Sequence, residues 1–311
     1  MYLLEKNFEN ASAEDIEELR KYFAAGDYRS SGHSFSSMFM WGPEYDTSWQ
    51  VIEGYLWTVS SYFDELNERE YYSTMPLSVD GYRDVAGLKR SIEKMRQLFQ
   101  RKGKKLVLYQ VPNHLVEVVR KAWDGPIKVE EDRDSADYVY RRDKLINLPG
   151  RALHKKKNNL NSFVKNYEYE AMDLAEEDKE EAIAFAESFN EEKETKNKRD
   201  ASVLEKETAA ISRAIENMDE YLIRVIKMEG KIKALAIGAL INEKEAVEHI
   251  EKADTTIRGL FQAINQDFAK SLPKAVEFVN REEDMGIENL RRAKEDYQPL
   301  KLYEKSTIII G

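Results

Sequence analysis

The chain has no cysteine and only four histidines in 311 residues. Without thiols, neither a disulfide framework nor a thiolate metal site can form. The histidines are too widely spaced to suggest a histidine-rich metal site, so we predict no metal; they are His33, His114, His154 and His249. A P-loop, a Gly-x-Ser-x-Gly elbow and a His-Glu-x-x-His motif are also missing, which argues against the enzyme classes that depend on them.

Long apolar runs are missing as well. No segment approaches the roughly 20 apolar residues that span a bilayer. The N-terminal stretch "MYLLEKNFENASAEDIEELR" lacks the charged-then-apolar order of a signal peptide. With 42% hydrophobic and 34% charged residues, the composition is that of a folded globular protein. We therefore expect a soluble, cytoplasmic protein, and its length allows two domains.

The charge is unevenly distributed along the chain. A formal net charge of −10 argues against nucleic-acid binding through the whole surface. Between positions 141 and 165, however, basic residues stand against the single acid Asp143. These basic residues are Arg141, Arg142, Lys144, Arg151, Lys155, Lys156, Lys157 and Lys165. The next stretch, "AEEDKEEAIAFAESFNEEKE", is strongly acidic. A boundary between oppositely charged segments therefore falls near the middle of the chain.

Hydrophobic periodicity predicts the same kinds of element in both halves. In the first half, "SAEDIEELRKYFAAG" is typical of a capped helix, and Glu53-Gly54 predicts a hairpin turn. "SADYVYRRDKLINL" is predicted as a strand. The second half predicts two helices, a three-strand meander, then helix, strand, helix and strand, which resembles the element order of an acetyltransferase-like (GNAT) domain. We predict an α/β (α+β) fold of two tandem GNAT-like domains, each with a mixed, mostly antiparallel sheet flanked by helices. They cover residues 1–146 and 166–311, joined by a basic segment at 147–165.

Several longer strings carry a family resemblance. They are "HSFSSMFMW", "DYVYRRDKLINLPGRALHKKKNNLNSF", "VEHIEKAD…GLFQAINQDF" and "VNREEDMGIENLRRAKEDYQP". Together they resemble the bacterial family that includes the soluble C-terminal domain of phosphatidylglycerol lysyltransferase. The resemblance implies a tandem GNAT fold related to the Fem-type aminoacyl transferases, which move an amino acid from aminoacyl-tRNA to an amine or hydroxyl acceptor. Lipid-modifying members carry a membrane region before this domain, and this sequence shows none.

The turn at Gly259 lies where a GNAT domain holds the pyrophosphate of acetyl-CoA. That motif begins with a basic or amide residue and contains two small residues. The small residues let the pyrophosphate approach the backbone N–H groups at a helix N-terminus. Here Thr256 stands at the first position and Phe261 at the last, and only Gly259 matches. Acetyl-CoA is therefore an unlikely cofactor. Gly259 is either a substrate-binding residue or a residue that permits close packing between the helix and a strand.

Candidate catalytic residues lie in the strand "AVEHIEKAD". Regular alternation places His249 and Glu251 on one face, as a general base with an orienting carboxylate, or as an ordinary polar pair. Glu248 is the alternative acid if a bulge intervenes.

The substrate-binding candidates lie further along the resembling strings. They are Gly259, Asn265, Asn280, Arg281, Glu282 and Tyr297. Asn280, Arg281 and Glu282 follow a strand end and carry charges of both signs, which would suit the amino and carbonyl groups of an aminoacyl moiety. Asp284 is predicted to cap the next helix.

The basic segment suggests an anion site, with tRNA as a possible partner. A helix from about Gly150 would place Arg151, His154, Lys155 and Asn158 on one face, and Lys156 and Lys157 add to its charge. The alternative is a solvated helix face.

These observations leave three hypotheses for function. The first is a soluble transferase that moves an aminoacyl group from aminoacyl-tRNA to an unknown small-molecule or peptide acceptor. The second is a non-catalytic protein that binds a small molecule or RNA on the same fold. The third, an acetyl-CoA-dependent acyltransferase, is disfavoured by Phe261.

Overall fold

The computed structural model describes residues 2–26, 28–197 and 201–311. The chain divides into two compact units. The first contains Met1–Asp137 together with Tyr303–Gly311, and the second contains Tyr138–Leu302. The basic segment 147–165 therefore lies inside the second unit, and most of the last strand, which the sequence placed in the second half, packs in the first. Among the described residues, no helix is long and apolar enough to cross a membrane.

The first unit contains a mixed, mostly antiparallel sheet flanked by helices. Its strands are β1 (Lys6–Asn7), β2 (Ser48–Ile52), β3 (Tyr55–Phe63), β4 (Arg69–Ser73), β5 (Leu77–Ser78), β6 (Leu106–Pro112) and the start of β7 (Ile127–Arg141), with β13 (Lys301–Ile310) at the end of the chain. The sheet order is β1-β2-β3-β4-β6-β13, and β5 pairs with β3. The helices are α1 (Ala13–Ala25), α2 (Phe35–Trp41), α3 (Val85–Gln100) and α4 (Asn113–Ala122).

Local sequence explains these first helices. Ser12 caps α1 in a capping box with Asp15, and Gly26 follows its last residue, as the sequence predicts. Helix α3 buries its residues at helical spacing, namely Leu88, Ile92, Met95 and Phe99. They join Trp49 and Trp57 of the sheet in one hydrophobic core.

The second unit repeats this plan. Its strands are the end of β7, β8 (Glu170–Asp173), β9 (Leu222–Met228), β10 (Lys231–Asn242), β11 (Glu245–Ala253) and β12 (Phe278–Asn280). Its helices are α5 (Arg142–Asn147), α6 (His154–Asn166), α7 (Lys179–Asn197), α8 (Ala201–Glu216), α9 (Leu260–Ser271) and α10 (Glu288–Glu295). The sheet runs β7-β12-β11-β10-β9-β8, with β12 parallel to β11 and its other pairs antiparallel. The mixed, mostly antiparallel sheet of the fold prediction is confirmed.

The strand predicted over "SADYVYRRDKLINL" ends early. Strand β7 stops at Arg141, and the following residues form helix α5 with Leu145 buried. Arg142 fixes this change of direction, because its guanidinium donates to the carbonyls at the end of α9. Its Nε lies 2.7 Å from Ala269 O and its Nη2 lies 2.6 Å from Leu272 O. Arg142 therefore caps a helix C-terminus, where the last carbonyls have no partner within the helix.

Candidate functional site

Strand β11 carries a β-bulge at His249. Ile250 pairs with Ile237 of β10 and Glu248 pairs with Gly238, so His249 is the extra residue on its strand. Gly238 is required opposite the bulge, because a Cβ atom there would lie 2.2 Å from the carbonyl oxygen of Val247. The regular alternation expected from the sequence is therefore interrupted at His249.

The bulge brings Glu248 and Glu251 to one guanidinium. Nε of Arg281 lies 2.6 Å from Oε2 of Glu248, and its Nη2 lies 2.7 Å from Oε2 of Glu251. The side-chain amide of Asn265 on α9 donates to Oε2 of Glu251 at 2.9 Å. The Glu248 side chain is 2% exposed and that of Arg281 is 11% exposed. Glu248, Glu251 and Asn265, all predicted as site residues, thus share one buried site with Arg281.

Two tyrosines cover the guanidinium. The Arg281 guanidinium carbon lies 5.1 Å from the ring centroid of Tyr297 and 5.8 Å from that of Tyr140. These distances are within the range of cation–π attraction. The Tyr140 hydroxyl donates to the carbonyl of Lys294 at 2.7 Å. Tyr140 was not predicted as a site residue, although its place near the end of a strand in "DYVYRR" was a usable signal.

Glu248 has an unusual protonation equilibrium. Burial and the neighbouring charge of Glu251 outweigh the attraction of Arg281 and raise the pKa of Glu248 to about 8. In this fork one cation, Arg281, meets two carboxylates, and a proton on Glu248 balances the charge of these three groups. Burial likewise raises the pKa of Tyr297 well above its usual range. A carboxyl group that titrates near neutrality can both accept and return a proton.

Lys156 of the basic segment points to this cluster. Its Nζ lies 4.5 Å from the ring centroid of Tyr297 and 3.6 Å from Oδ2 of Asp296. Burial lowers the pKa of Lys156. The structure thus separates one lysine from the rest of the predicted anion site and places it beside the aromatic wall. We refer to Glu248, Glu251, Asn265, Arg281, Tyr297, Tyr140 and Lys156 as the Arg281 cluster.

The remaining basic residues form an exposed surface. Helix α6 begins at His154, so the prediction of a helix from about Gly150 is wrong, and Arg151 lies in the preceding turn. Gly150 has a φ of +80°, which interrupts the helical pattern there. Arg151, His154, Lys155 and Lys157 are all exposed.

His249 does not pair with Glu251, which the sequence placed on the same face. Instead its Nδ1 lies 2.7 Å from Oε1 of Glu282, because the bulge turns the ring away from Glu251. The backbone N–H of Glu282 donates to Oδ1 of Asn280 at 2.8 Å, so Asn280 supports the loop that carries Glu282. Glu282 itself has a φ of +58°, an uncommon conformation for a residue with a side chain.

Gly259 packs against helix α6. It has a φ of +90°, and a Cβ atom there would lie 2.2 Å from the carbonyl oxygen of Asn159. The predicted alternative of close packing therefore has a structural basis, although the partner is a helix and not a strand. Among the described residues, no contact joins Gly259 to the Arg281 cluster.

Asp284 does not occupy the N-cap position of α10, which is Ile287. Its carboxylate instead accepts from the Tyr138 hydroxyl at 2.6 Å and from Nε of Arg291 at 2.9 Å. Burial alone would raise the pKa of Asp284, but these hydrogen bonds lower it below its usual range. The predicted helix cap is therefore a fully buried anchor of the loop after β12.

Comparisons with known proteins agree with this architecture. The sequence is similar to a conserved protein of unknown function from Bacteroides thetaiotaomicron VPI-5482, with 26% identity, a TM-score of 0.84, and coverage of 96% of this chain and 98% of that chain. The structure of L-PGS from Bacillus licheniformis has a TM-score of 0.66 at 12% identity, covering 99% of this chain and 93% of the other. FemX has a TM-score of 0.61 at 8% identity, covering 94% and 96%.

These likenesses confirm the predicted fold of two tandem GNAT-like domains, which is similar to the fold of FemX. A comparison with curated proteins finds no match. The family model described as "Phosphatidylglycerol lysyltransferase, C-terminal" matches residues 23–309. The chain therefore belongs to the family of the phosphatidylglycerol lysyltransferase C-terminal domain, as the resembling strings predicted.

Proposed function

We propose that this chain is an aminoacyltransferase that takes an amino acid from aminoacyl-tRNA and transfers it to an amine or hydroxyl acceptor. The family and the likeness to L-PGS and FemX support this class of donor. The observation that carries the proposal is the buried fork of Arg281 across Glu248 and Glu251. It combines a fixed cation, a hydrogen-bonded carboxylate and a carboxyl group that titrates near neutrality.

In the proposed reaction, the acceptor nucleophile attacks the ester carbonyl of the aminoacyl-tRNA. In its ionised form, Glu248 takes the proton that the nucleophile loses and returns it to the tRNA hydroxyl as the ester C–O bond breaks. Such proton transfer typically contributes about 100-fold to 10,000-fold to the rate. Glu251, held by Asn265, and the tyrosine-covered face of Arg281 would orient the aminoacyl group. His249, with Glu282, is the alternative base.

The exposed residues Arg151, Lys155 and Lys157, with His154 beside them, would receive the RNA phosphates, since Lys and Arg side chains on a surface supply most non-specific nucleic-acid affinity. Lys156 would instead face the aminoacyl end. Helix α6 would thus bind the RNA phosphates of the aminoacyl-tRNA on one surface and its aminoacyl end on another.

The test follows a labelled amino acid from charged tRNA into products that chromatography separates from the tRNA and from the free amino acid, using a pool of small-molecule and peptide acceptors. Mild alkali then distinguishes amide products, which survive it, from ester products, which do not. We expect Glu248→Gln to lower the transfer rate by about 100-fold or more while tRNA binding is retained. Glu277→Gln, an exposed acid in the same unit, is the matched control.

If Glu248→Gln transfers the amino acid as fast as the unmodified chain, Glu248 is not the base. The same assay on His249→Gln would then test His249 as the base. If the unmodified chain binds charged tRNA but transfers nothing to any acceptor, the non-catalytic RNA-binding function is favoured. Stabilisation by acetyl-CoA without tRNA binding would favour the third hypothesis.

A further inference from the structure

The first unit contains a cavity outside the Arg281 cluster. Its volume is about 250 Å³, and Arg29, Ser30, Pro112, His114, Tyr303, Glu304 and Lys305 line it. This is smaller than the roughly 300–1,000 Å³ of typical drug-sized pockets, so it suits a small ligand. Ser30 and Lys305 are buried and form its deep part, whereas Arg29, His114 and Glu304 are exposed.

The deep part of the cavity contains a buried ion pair. The Lys305 Nζ lies 2.6 Å from Oδ1 of Asp137, and both side chains are fully buried. Ser31 holds both oxygens of this carboxylate, because its N–H donates to Oδ2 at 2.7 Å and its hydroxyl donates to Oδ1 at 2.8 Å. A buried charge without a partner is costly, so Asp137 offsets the cost of burying the Lys305 ammonium group at the cavity wall.

Ser30 is the second independent observation. Its Oγ is buried, and it has no hydrogen-bond partner among the residues that the structure describes. A buried hydroxyl without a partner costs free energy, and native structures rarely keep one without a reason. Ser30 is one of the residues that line the cavity, so a ligand bound there would offer its hydroxyl a partner.

The start of helix α4 adds a third feature. Pro112 is its N-cap residue, and His114 lies in its first turn. Among the described residues, no side chain caps this helix N-terminus with a hydrogen bond. The first N–H groups of a helix have no partner within it and favour negative charge. The lining also carries two cations, Arg29 and Lys305, against one acid, and Asp137 behind the lining offsets the charge of Lys305. That acid, Glu304, lies at the exposed edge, where the Asn113 amide donates to it at 3.4 Å.

We propose that this cavity binds a small ligand through an anionic head group, a carboxylate or a phosphate, which accepts from Ser30, Lys305 and the first turn of α4. Arg29 closes over the head group at the cavity mouth. The site is independent of the aminoacyl-transfer proposal, because it uses none of the residues of the Arg281 cluster. An amino acid and a phosphate monoester are the two sources of such a head group.

The experiment titrates the full chain with inorganic phosphate and, separately, with acetate at constant ionic strength, and follows amide chemical shifts by NMR. We expect saturable shifts at Ser30, His114 and Lys305. Tighter binding of phosphate would identify a phosphate ligand, and tighter binding of acetate a carboxylate ligand. Ser30→Ala and Arg29→Gln should each weaken binding by about fivefold or more, because each removes one hydrogen bond or charge from the head group.

Ser91→Ala is the matched control, because Ser91 is also buried but its hydroxyl donates to Leu88 O within α3. It should leave anion binding unchanged. Ser30→Ala should keep or raise the melting temperature, since it removes a polar atom without a partner among the described residues. Absence of saturable shifts with both anions would overturn the proposal. Shifts of equal size and affinity in Ser30→Ala, Arg29→Gln and the unmodified chain would do so as well.

Discussion

The stability of the second unit should fall as the pH rises through the range in which Glu248 titrates. The native pKa is raised to about 8 from an ordinary value of 4.5. Between these two values the native state holds a proton that the unfolded chain has released. The stabilisation is therefore complete below about pH 4.5 and is lost as the pH approaches and passes 8. A shift of this size corresponds to a free energy on the order of 5 kcal/mol.

The perturbation is Glu248→Gln, which mimics the protonated carboxyl group and does not titrate. Urea unfolding is followed at a series of pH values between 5 and 9 by far-ultraviolet circular dichroism, which reports both units. Tryptophan fluorescence supplies an internal reference, because Trp41, Trp49, Trp57 and Trp123 all lie in the first unit. We expect the unmodified second unit to lose stability relative to Glu248→Gln as the pH rises, while the fluorescence transition is the same in both proteins.

One result would refute this reasoning. If the attraction of Arg281 prevailed over burial, Glu248 would be ionised throughout this range. The stability difference from Glu248→Gln would then be independent of pH, with the variant less stable at every point. Glu277→Gln should show no pH-dependent difference, because that side chain is exposed.

Individual contacts set three other expected outcomes. Gly259→Ala should destabilise the second unit by about 3 kcal/mol, because the new Cβ would collide with the α6 backbone and φ is +90°. Arg142→Ala should cost about 2–4 kcal/mol, since it removes the hydrogen bonds to the last carbonyls of α9. Thermal unfolding measures both. Replacing Lys155 and Lys157 together by Gln should reduce the slope of log tRNA affinity against log salt by about 1.5, in a filter-binding titration.

Each of these outcomes has a control nearby in the chain. Gly150→Ala meets nothing within 4 Å at a φ of +80°, so its cost of about 1–2 kcal/mol measures backbone conformation alone. An equal loss in Gly259→Ala would contradict the collision. Arg141→Ala changes an exposed neighbour of Arg142 and should cost little. Lys156→Gln should leave the salt slope unchanged, and a reduced slope would place Lys156 on the RNA surface.

The sequence predicted the fold because its signals are periodic and local. Helix α3 buries the positions that helical spacing selects, and Ser12 caps α1 as its neighbours indicate. The strings that resemble the phosphatidylglycerol lysyltransferase C-terminal domain predicted the family of the chain correctly. The strand-to-helix change at Arg142 was missed, because the interaction that sets it is with carbonyls more than a hundred positions later.

The candidate site could be predicted only as a set of residues. Glu248, Glu251 and Arg281 were all named, but their arrangement depends on a bulge, and alternation along a strand cannot reveal an inserted residue. The direction of Lys156 is seen only from its contacts with Asp296 and Tyr297, which lie more than a hundred positions later in the chain. The cavity of the first unit joins Ser30 to Lys305, which no local pattern connects.

One extra residue in β11 links the fold to the proposed chemistry. Without the bulge, Glu248 and Glu251 would point to opposite faces of the strand, and a single guanidinium could not reach both. With it, both carboxylates meet Arg281 and the pKa of Glu248 rises. The bulge in turn depends on Gly238, because a Cβ atom there would lie 2.2 Å from the Val247 carbonyl oxygen. The protonation state of the proposed base therefore depends on a glycine of the neighbouring strand that carries no chemistry of its own.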